Sequence, residues 1–373
     1  MPDANPHQSV ADGKKRLGIK RFAIRFCVGT TITVVLLIAG ECFAYFHLPR
    51  GNGQVFTYKS YVLWQATPRV AGQSLEEDGL RRTLSSHCEA DDYTIWLFGS
   101  SSMWGYYLRD EDTIPSLLAK AYEQSGRRVC VRNYGQPAWV STQELIELML
   151  ELKHVKKKPD VVIFYDGSLD SILPSQSDEP DAHLGFPTFK RKFETWKTRE
   201  ASGFDYILST NTYVALRRYA RGLNLVTGDF SRAIPQERFV AQGKLTYSNY
   251  LKNMEMLDML AARYGFQYVC LWEPWLPEAD KPLSPSENLM RNGTDEDTIG
   301  EMGVMHATYK IFRDARQPHL IYLGDVFKNH PETLFQTLVH LRPEGNLLVA
   351  QRIYQILENM GVKPGSAASA NSR

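Results

Sequence analysis

The sequence lacks a surplus of either charge. Its 43 lysines and arginines face 42 aspartates and glutamates, which leaves a formal net charge of +1. A protein that binds nucleic acid normally carries a basic surplus, so this balance predicts no nucleic-acid partner. The length of 373 residues suffices for one large domain or two small ones, with ample hydrophobic core.

Cysteine is also scarce, with five in the whole chain, so the sequence does not predict the disulfide framework of a small secreted domain. Cys27 and Cys42 lie in an apolar run. Cys130 and Cys270 lie in strand-like runs, where cysteine is typical of a buried small hydrophobic residue. Cys88 lies in a polar connector. One disulfide is compatible with an oxidising compartment, but the spacing does not identify its partners.

The chain has one hydrophobic run long enough to cross a bilayer, for which about 20 apolar residues are needed. It covers residues 26–46, and its only charged residue is Glu41. Residues 1–25 are polar and basic, which predicts a cytoplasmic N-terminus and an exported segment from His47 onward. A cleaved signal peptide is the alternative. The length of the run and the absence of a clean small-x-small site favour an uncleaved single-pass anchor in a bacterial inner membrane, with the main domain in the periplasm.

Strand-like and helix-like segments alternate between residues 93 and 361, and no internal repeat is visible. This alternation predicts an α/β domain with a parallel sheet between two layers of helices, with ligands bound at the carboxyl ends of the strands. One helix is predicted to begin with a capping box formed by Ser141 and Glu144, and Asp170 is predicted as a helix N-cap. Residues 47–92 are interpreted as a polar stalk, 171–240 as a helical insertion and 362–373 as a disordered tail.

Four segments at predicted strand ends or before the last helix carry chemistry-bearing residues. They are LFGSSSMWG at 97–105, NYGQPAW at 133–139, GSLD at 167–170 and TLVHLRPEGN at 337–346. In this order they resemble the motif blocks of the SGNH/GDSL hydrolases, a family of esterases and deacetylases with a flavodoxin-like three-layer fold. The resemblance covers roughly residues 93–361 and leaves the insertion unmatched.

The resemblance implies that Ser101 is the nucleophile and that His340 is the general base. It also implies that the backbone N–H groups of Ser101 and Ala138 donate to the oxyanion. The family often has glycine where Ala138 stands, and alanine keeps the N–H group. Neither a metal nor an organic cofactor is implied.

Two polar residues of the family pattern are replaced in this chain. Leu169 stands at the position of an asparagine that donates to the oxyanion, and losing one such donor typically costs about 2.7–4 kcal/mol. Thr337 stands at the position of the aspartate that orients the histidine, which is worth about 10⁴ in rate where it has been tested. Either Thr337 or Asp325, at the end of the preceding strand, can take that role, and the spacing leaves both open.

Aromatic residues near strand ends predict a surface that stacks on sugars, with core filling as the alternative for each of them. The candidates are Trp104, Trp139 and Trp272, together with Glu273. Single-pass exported members of the resembled family handle acyl groups on exopolysaccharides or envelope glycans. The resemblance thus implies a membrane-anchored esterase or deacetylase acting on an O-acylated glycan or another acyl ester. The alternative is a catalytically impaired relative that binds a glycan or a partner in a polysaccharide synthase complex.

Overall fold

A computed structural model describes residues 6–47, 56–154, 156–198, 213, 234–293, 296–362 and 364. The chain divides into two compact units, one made of residues 1–53 and 192–228 and the other of residues 54–191 and 229–373. Residues 199–212 and 214–233 of the predicted insertion and most of the predicted tail lie outside the described residues.

The first unit contains helix α1, which runs without a break from Pro6 to His47. Its segment Lys20–Phe46 has 27 residues and a mean hydropathy of 2.1, and no residue of its apolar 18-residue window is buried in the protein. At 1.5 Å per residue this segment is about 40 Å long, more than the hydrocarbon core of a bilayer. Within the described part of the chain it is the one helix that is long and apolar enough to cross a membrane, and it fits a membrane anchor or a signal sequence.

The second unit begins with a small antiparallel sheet formed by β1 (Phe56–Lys59) and β2 (Leu63–Ala66). Val62 and Ala66 are fully buried, and Trp64 packs with Trp139. The prediction of a polar stalk is therefore wrong for residues 56–92. The short apolar stretch that contains these residues packs on the domain, because burying it removes apolar surface from water.

A parallel five-stranded sheet forms the centre of this unit. Its strands are β3 (Tyr93–Gly99), β4 (Val129–Asn133), β5 (Val161–Asp166), β6 (Gln267–Trp272) and β7 (Leu320–Tyr322). They lie in the order β4-β3-β5-β6-β7, which is the flavodoxin-like order and confirms the predicted fold class. The two central strands β3 and β5 are buried almost throughout, as expected for a sheet that is covered on both faces.

Helices cover both faces of the sheet. The described helices after α1 are α2 (Ser101–Trp104), α3 (Ile114–Gln124), α4 (Ser141–His154), α5 (Ser168–Ser177), α6 (Phe186–Thr198), α7 (Phe239–Tyr264), α8 (Pro285–Asn292), α9 (Glu296–Asp314) and α10 (Pro343–Asn359), with short 3₁₀ turns at Asp110–Asp112, Gln236–Arg238 and Leu276–Glu278. Alternate residues of β3 enter different cores. Leu97 packs with residues of α3 and α10, whereas Phe98 packs with residues of α4, α7 and α9.

A disulfide between Cys88 and Cys130 joins the segment that follows β2 to the edge strand β4. Cys130 is buried, as predicted, and it is also one partner of the single disulfide whose cysteines the spacing left open. Cys270 is buried and free, as predicted. Only the packing of residues 56–92 brings Cys88 to β4, which is why the spacing alone did not identify the pair.

The capping box predicted at the start of α4 does not form. The backbone N–H and the hydroxyl of Ser141 both donate to Asp170 Oδ1, at 3.0 and 2.5 Å. Asp170 belongs to α5, so it caps the neighbouring helix rather than its own. Gln143 Oε1 accepts from the N–H of Val140 at 3.3 Å, and Glu144 is buried in the interior instead of closing the box.

Candidate active site

Ser101 lies at the junction of the interior strand β3 and helix α2. A Cβ on Gly99 would lie 2.7 Å from the carbonyl oxygen of Tyr165, so only glycine fits this turn. Ser101 is partly exposed, whereas its neighbours Ser100 and Ser102 are buried. Of the three adjacent serines, Ser101 is therefore the one whose hydroxyl can meet a substrate at the carboxyl edge of the sheet.

His340 reaches Ser101 from the turn that precedes α10. Its Nε2 atom lies 2.9 Å from Ser101 Oγ, although the two residues are 239 positions apart. The turn is held by a hydrogen bond from the N–H of Gln336 to the carbonyl of His340 at 2.8 Å. This distance is the hydrogen-bond reach that a serine nucleophile and its general base require.

Thr337 occupies the other side of the imidazole. Its Oγ1 lies 2.8 Å from His340 Nδ1, and it also accepts from the backbone N–H groups of His340 and Val339, at 3.0 and 3.3 Å. A hydroxyl has two lone pairs and one hydrogen. With both lone pairs engaged, its hydrogen is left for Nδ1, and this arrangement favours the tautomer that carries its proton on Nε2.

Asp325, the other candidate for orienting His340, lines a different cavity of about 500 Å³ together with Glu278, Asp280 and Arg313. The structure thus brings Thr337, and not Asp325, to the imidazole. Burial lowers the pKa of His340 to about 4, and no carboxylate raises it again. The imidazole is consequently neutral near pH 7, as a general base must be.

Two backbone N–H groups are candidates for the oxyanion site. The N–H of Ser101 is at the first turn of α2, where helical N–H groups have no acceptor within the helix. The N–H of Gln136 donates to the carbonyl of Gly99 at 2.9 Å, which holds the 133–139 segment beside the end of β3. Ala138 in this segment has φ of 67°, a conformation that favours glycine, the residue that the resembled family often has there.

The cavity at Ser101 is small, with a volume of about 10 Å³, roughly that of one water molecule. Tyr106 and Tyr107 line it, and both rings contact His340, with ring centres 5.8 and 5.0 Å away. Sequence reasoning missed these tyrosines, although they directly follow Gly105 in the first motif. Leu169 is the second residue of α5, is partly buried and supplies no polar atom to the site.

The four residues predicted to contact a sugar are buried, so that prediction is wrong and the core-filling alternative holds. Trp104 lies beneath the guanidinium of Arg81, and Trp139 Nε1 donates to the carbonyl of Trp64 at 3.1 Å. Trp272 packs in the core under α9. Glu273 accepts hydrogen bonds from the N–H and hydroxyl of Ser168, at 2.9 and 2.7 Å.

Four buried carboxyl groups form an acidic cluster at the carboxyl ends of β5 and β6. They are Glu144, Asp166, Asp170 and Glu273. Burial raises the pKa of every member, and neighbouring carboxylates raise the pKa values of Glu144, Asp166 and Asp170 further. Tyr250 donates to Asp166 Oδ2 at 2.7 Å. The sequence analysis did not predict this cluster. Among the described residues, no group of His, Cys, Asp or Glu side chains is arranged to hold a metal ion.

No protein-family model and no curated protein matches the chain. The structure is similar to that of a member of the lipolytic protein G-D-S-L family from Veillonella parvula, with 10% identity over 71% of this chain and 98% of that chain and a TM-score of 0.36. It is similar to the psychrotrophic esterase EstA from Pseudoalteromonas sp., with 12% identity over 73% and 100% and a TM-score of 0.35. It is also similar to a carbohydrate acetylesterase family member from Sinorhizobium meliloti, with 15% identity over 72% and 98% and a TM-score of 0.32.

Proposed function

We propose that this chain is a serine esterase or deacetylase of the SGNH type that hydrolyses acyl esters. The observation that carries the proposal is the 2.9 Å contact between Ser101 Oγ and His340 Nε2 at the carboxyl end of β3. A partly exposed serine hydroxyl paired with a neutral imidazole is the arrangement that acyl transfer requires.

In this reaction Ser101 Oγ attacks the ester carbonyl while His340 Nε2 takes the hydroxyl proton. The carbonyl electron pair moves to oxygen, and the N–H groups of Ser101 and Ala138 donate to the resulting oxyanion. Collapse of this intermediate breaks the bond to the alcohol, which receives the proton from His340. Water then attacks the acyl group on Ser101 by the same steps, and releases the acid and the free serine.

Thr337 and Leu169 predict that the reaction is slow. Before His340 can accept a proton at Nε2, the proton that Nε2 carries must move to Nδ1. Thr337 Oγ1 must then accept a hydrogen bond from Nδ1–H, which requires a lone pair that in this structure accepts from a backbone N–H group. Breaking one such hydrogen bond costs about 0.5–1.5 kcal/mol. Unlike a carboxylate, the hydroxyl also does not neutralise the imidazolium that forms, and Leu169 donates nothing to the oxyanion.

The anchor and the disulfide support an exported location. We place α1 in the inner membrane through residues 26–46, with the second unit in the periplasm. The bond between Cys88 and Cys130 fits an oxidising compartment, since cytosolic thiols are kept reduced. The substrate proposed for this setting is an O-acylated glycan of the cell envelope or of an exopolysaccharide.

Labelling by a fluorophosphonate tests the esterase proposal, because this probe phosphonylates activated serines. The detergent-solubilised full chain is compared with Ser101→Ala and with Ser286→Ala, which alters an exposed serine on α8. We expect labelling of the wild type and of Ser286→Ala, and none of Ser101→Ala. Labelling that persists in Ser101→Ala, or its absence from the wild type together with no hydrolysis of an acetyl ester, contradicts the proposal.

The hydrogen bonds of Thr337 favour a second candidate, a glycan-binding relative without turnover. In that case Ser101→Ala retains both cellular function and glycan binding, while Tyr107→Ala loses them. Tyr107 is suited to this comparison because 42% of its side chain is exposed beside His340. Loss of cellular function in Ser101→Ala with glycan binding intact excludes this candidate.

A further inference from the structure

The entrance to the cavity at Ser101 has an aromatic wall that the proposed reaction does not use. The ring of Tyr106 stacks on His340 with an interplanar angle of 28°, and that of Tyr107 meets it edge-on at 88°. Tyr107 is 42% exposed. Because His340 protonates the leaving alcohol in the proposed reaction, these rings lie on the alcohol side of an ester bound at Ser101.

Arg69 adds a positive charge to this wall. Its guanidinium carbon lies 5.3 Å from the centre of the Tyr106 ring, and Nη1 donates to Tyr106 Oη at 2.6 Å. This bond uses one of five guanidinium N–H donors. Among the residues that the structure describes, Arg69 makes no ion pair, whereas Arg81 is paired with Asp110 and Arg109 with Glu111.

Gln73 fixes the backbone of Arg69 relative to that of Tyr106. Its side chain is buried, and its Oε1 accepts from the N–H of Arg69 at 2.9 Å. Its Nε2 donates to the carbonyl groups of Tyr106 and Leu108, at 3.0 and 3.1 Å. One buried amide thus connects the two backbones that carry the guanidinium and the ring, and such pre-organisation reduces the entropy lost on binding.

We propose that Arg69 and Tyr106 form a subsite for an anionic group on the alcohol side of the substrate, so that the substrate is the acyl ester of an acidic sugar. This inference rests on the proposed esterase function and specifies its substrate class. A guanidinium binds a carboxylate or phosphate through two parallel N–H···O bonds, and this planar geometry distinguishes it from an ammonium. The tyrosine rings offer apolar surface to the body of the sugar.

The first test uses three acetyl esters that share an aryl alcohol. They are 3-acetoxybenzoate, 3-acetoxyphenyl phosphate and the neutral 3-acetoxybenzamide. For the full chain we expect Arg69→Gln to lower kcat/KM at least about tenfold for one or both anionic esters, because the charge-assisted hydrogen bonds to the anion are lost. The value for the amide stays within about twofold. The carboxylate and phosphate arms show which anion the subsite prefers.

Arg109→Gln is the matched control, because Arg109 is an exposed arginine close in sequence to Tyr106 but is paired with Glu111 and Asp112. It should leave the preference between the anionic and neutral esters unchanged. Arg69→Lys keeps the charge without the planar fork, and it should fall between the wild type and Arg69→Gln. An equal effect of Arg69→Gln on all three esters, or none on any, overturns the subsite.

A binding measurement separates failure of the subsite from failure of the esterase proposal. Calorimetry on Ser101→Ala compares trigalacturonate with neutral cellotriose and needs no turnover. We expect tighter binding of trigalacturonate, and at least a fivefold loss when Arg69→Gln is added. If the wild type cleaves no ester, the esterase proposal fails and this measurement alone decides the subsite. Equal affinity of Ser101→Ala for the two sugars refutes the anionic subsite.

Discussion

The hydroxyl of Thr337 lies 2.8 Å from His340 Nδ1, on the side of the imidazole opposite Ser101. The geometry is that of a side chain that orients a general base, but the chemistry differs because a hydroxyl can donate to Nδ1 and an ionised carboxylate cannot. The residue at 337 therefore determines where the imidazole holds its proton.

Thr337→Asp should increase the reactivity of Ser101. A carboxylate accepts from Nδ1–H, so it favours the tautomer whose Nε2 is free and stabilises the imidazolium. We expect the rate of fluorophosphonate labelling to rise at least tenfold, since loss of the carboxylate from a Ser-His-Asp triad costs about 10⁴ in rate. Thr337→Val, which keeps the shape and removes the hydroxyl, serves as the control and should not gain rate. An unchanged rate in Thr337→Asp would show that His340 does not limit the reaction.

The pH dependence of labelling follows from the lowered pKa of His340. Only the neutral imidazole can accept the proton of Ser101, so the rate should be constant near neutrality and fall in acid with a midpoint of about 4. An unperturbed histidine would give a midpoint of about 6.5. Thr337→Asp should move the midpoint upward, because a nearby carboxylate favours the charged imidazolium. A midpoint near 6.5 in the wild type contradicts the burial of the imidazole.

The acidic cluster should make the second unit lose stability as the pH rises above the range in which its carboxyl groups are protonated. Burial and neighbouring carboxylates raise the pKa of Asp170 from 3.8 to about 6, so between these values the folded state binds more protons than the unfolded state. The stabilising contribution of Asp170 is therefore complete below the pKa of the unfolded state. It is lost as the pH rises through the pKa of the folded state, and the free energy of unfolding falls by about 1.4 kcal/mol for each unit by which the two pKa values differ. Glu144 and Asp166, whose pKa values are also raised, extend the loss to higher pH.

Glu144→Gln tests this expectation, because it removes one titrating group from the cluster and keeps its size. Urea denaturation at about pH 5 and about pH 8 should show a smaller loss of unfolding free energy in the variant, by at least about 1 kcal/mol. Glu255→Gln on the exposed side of α7 is the control. An equal loss in Glu144→Gln and the wild type would show that Glu144 does not titrate with the cluster.

The disulfide should stabilise the second unit. Its cysteines are 42 residues apart, a spacing for which loop closure predicts about 4 kcal/mol. We expect Cys88→Ser to lower the unfolding free energy by about 2–4 kcal/mol in non-reducing buffer. Cys42→Ser, which alters a free cysteine of α1, should have no such effect on the second unit. Equal stability of Cys88→Ser and wild type would indicate that the bond is not formed in solution.

The sheet was predictable because β5, with the sequence VVIFYD, is buried at every position and its signal is local. Ser101 and His340 could be identified because their motifs resemble those of a known family. No local sequence pattern relates the two residues to each other. The sequence did not identify Arg69, Tyr106 and Tyr107, because their common location depends on how the segment after β2 folds over α2. The acidic cluster was missed for a similar reason: Asp166 and Glu273 come together with Glu144 and Asp170 only when the strand ends and helices that carry them pack.

The disulfide also has a mechanical consequence. The chain passes from α1 through β1 and β2 to Cys88, and only then enters β3. If the anchor is pulled away from the second unit, the tension can unravel residues up to Cys88. From there the force passes through a covalent bond into β4 at the edge of the sheet. The strand that carries Ser101 is therefore shielded from traction on the anchor for as long as the bond is oxidised.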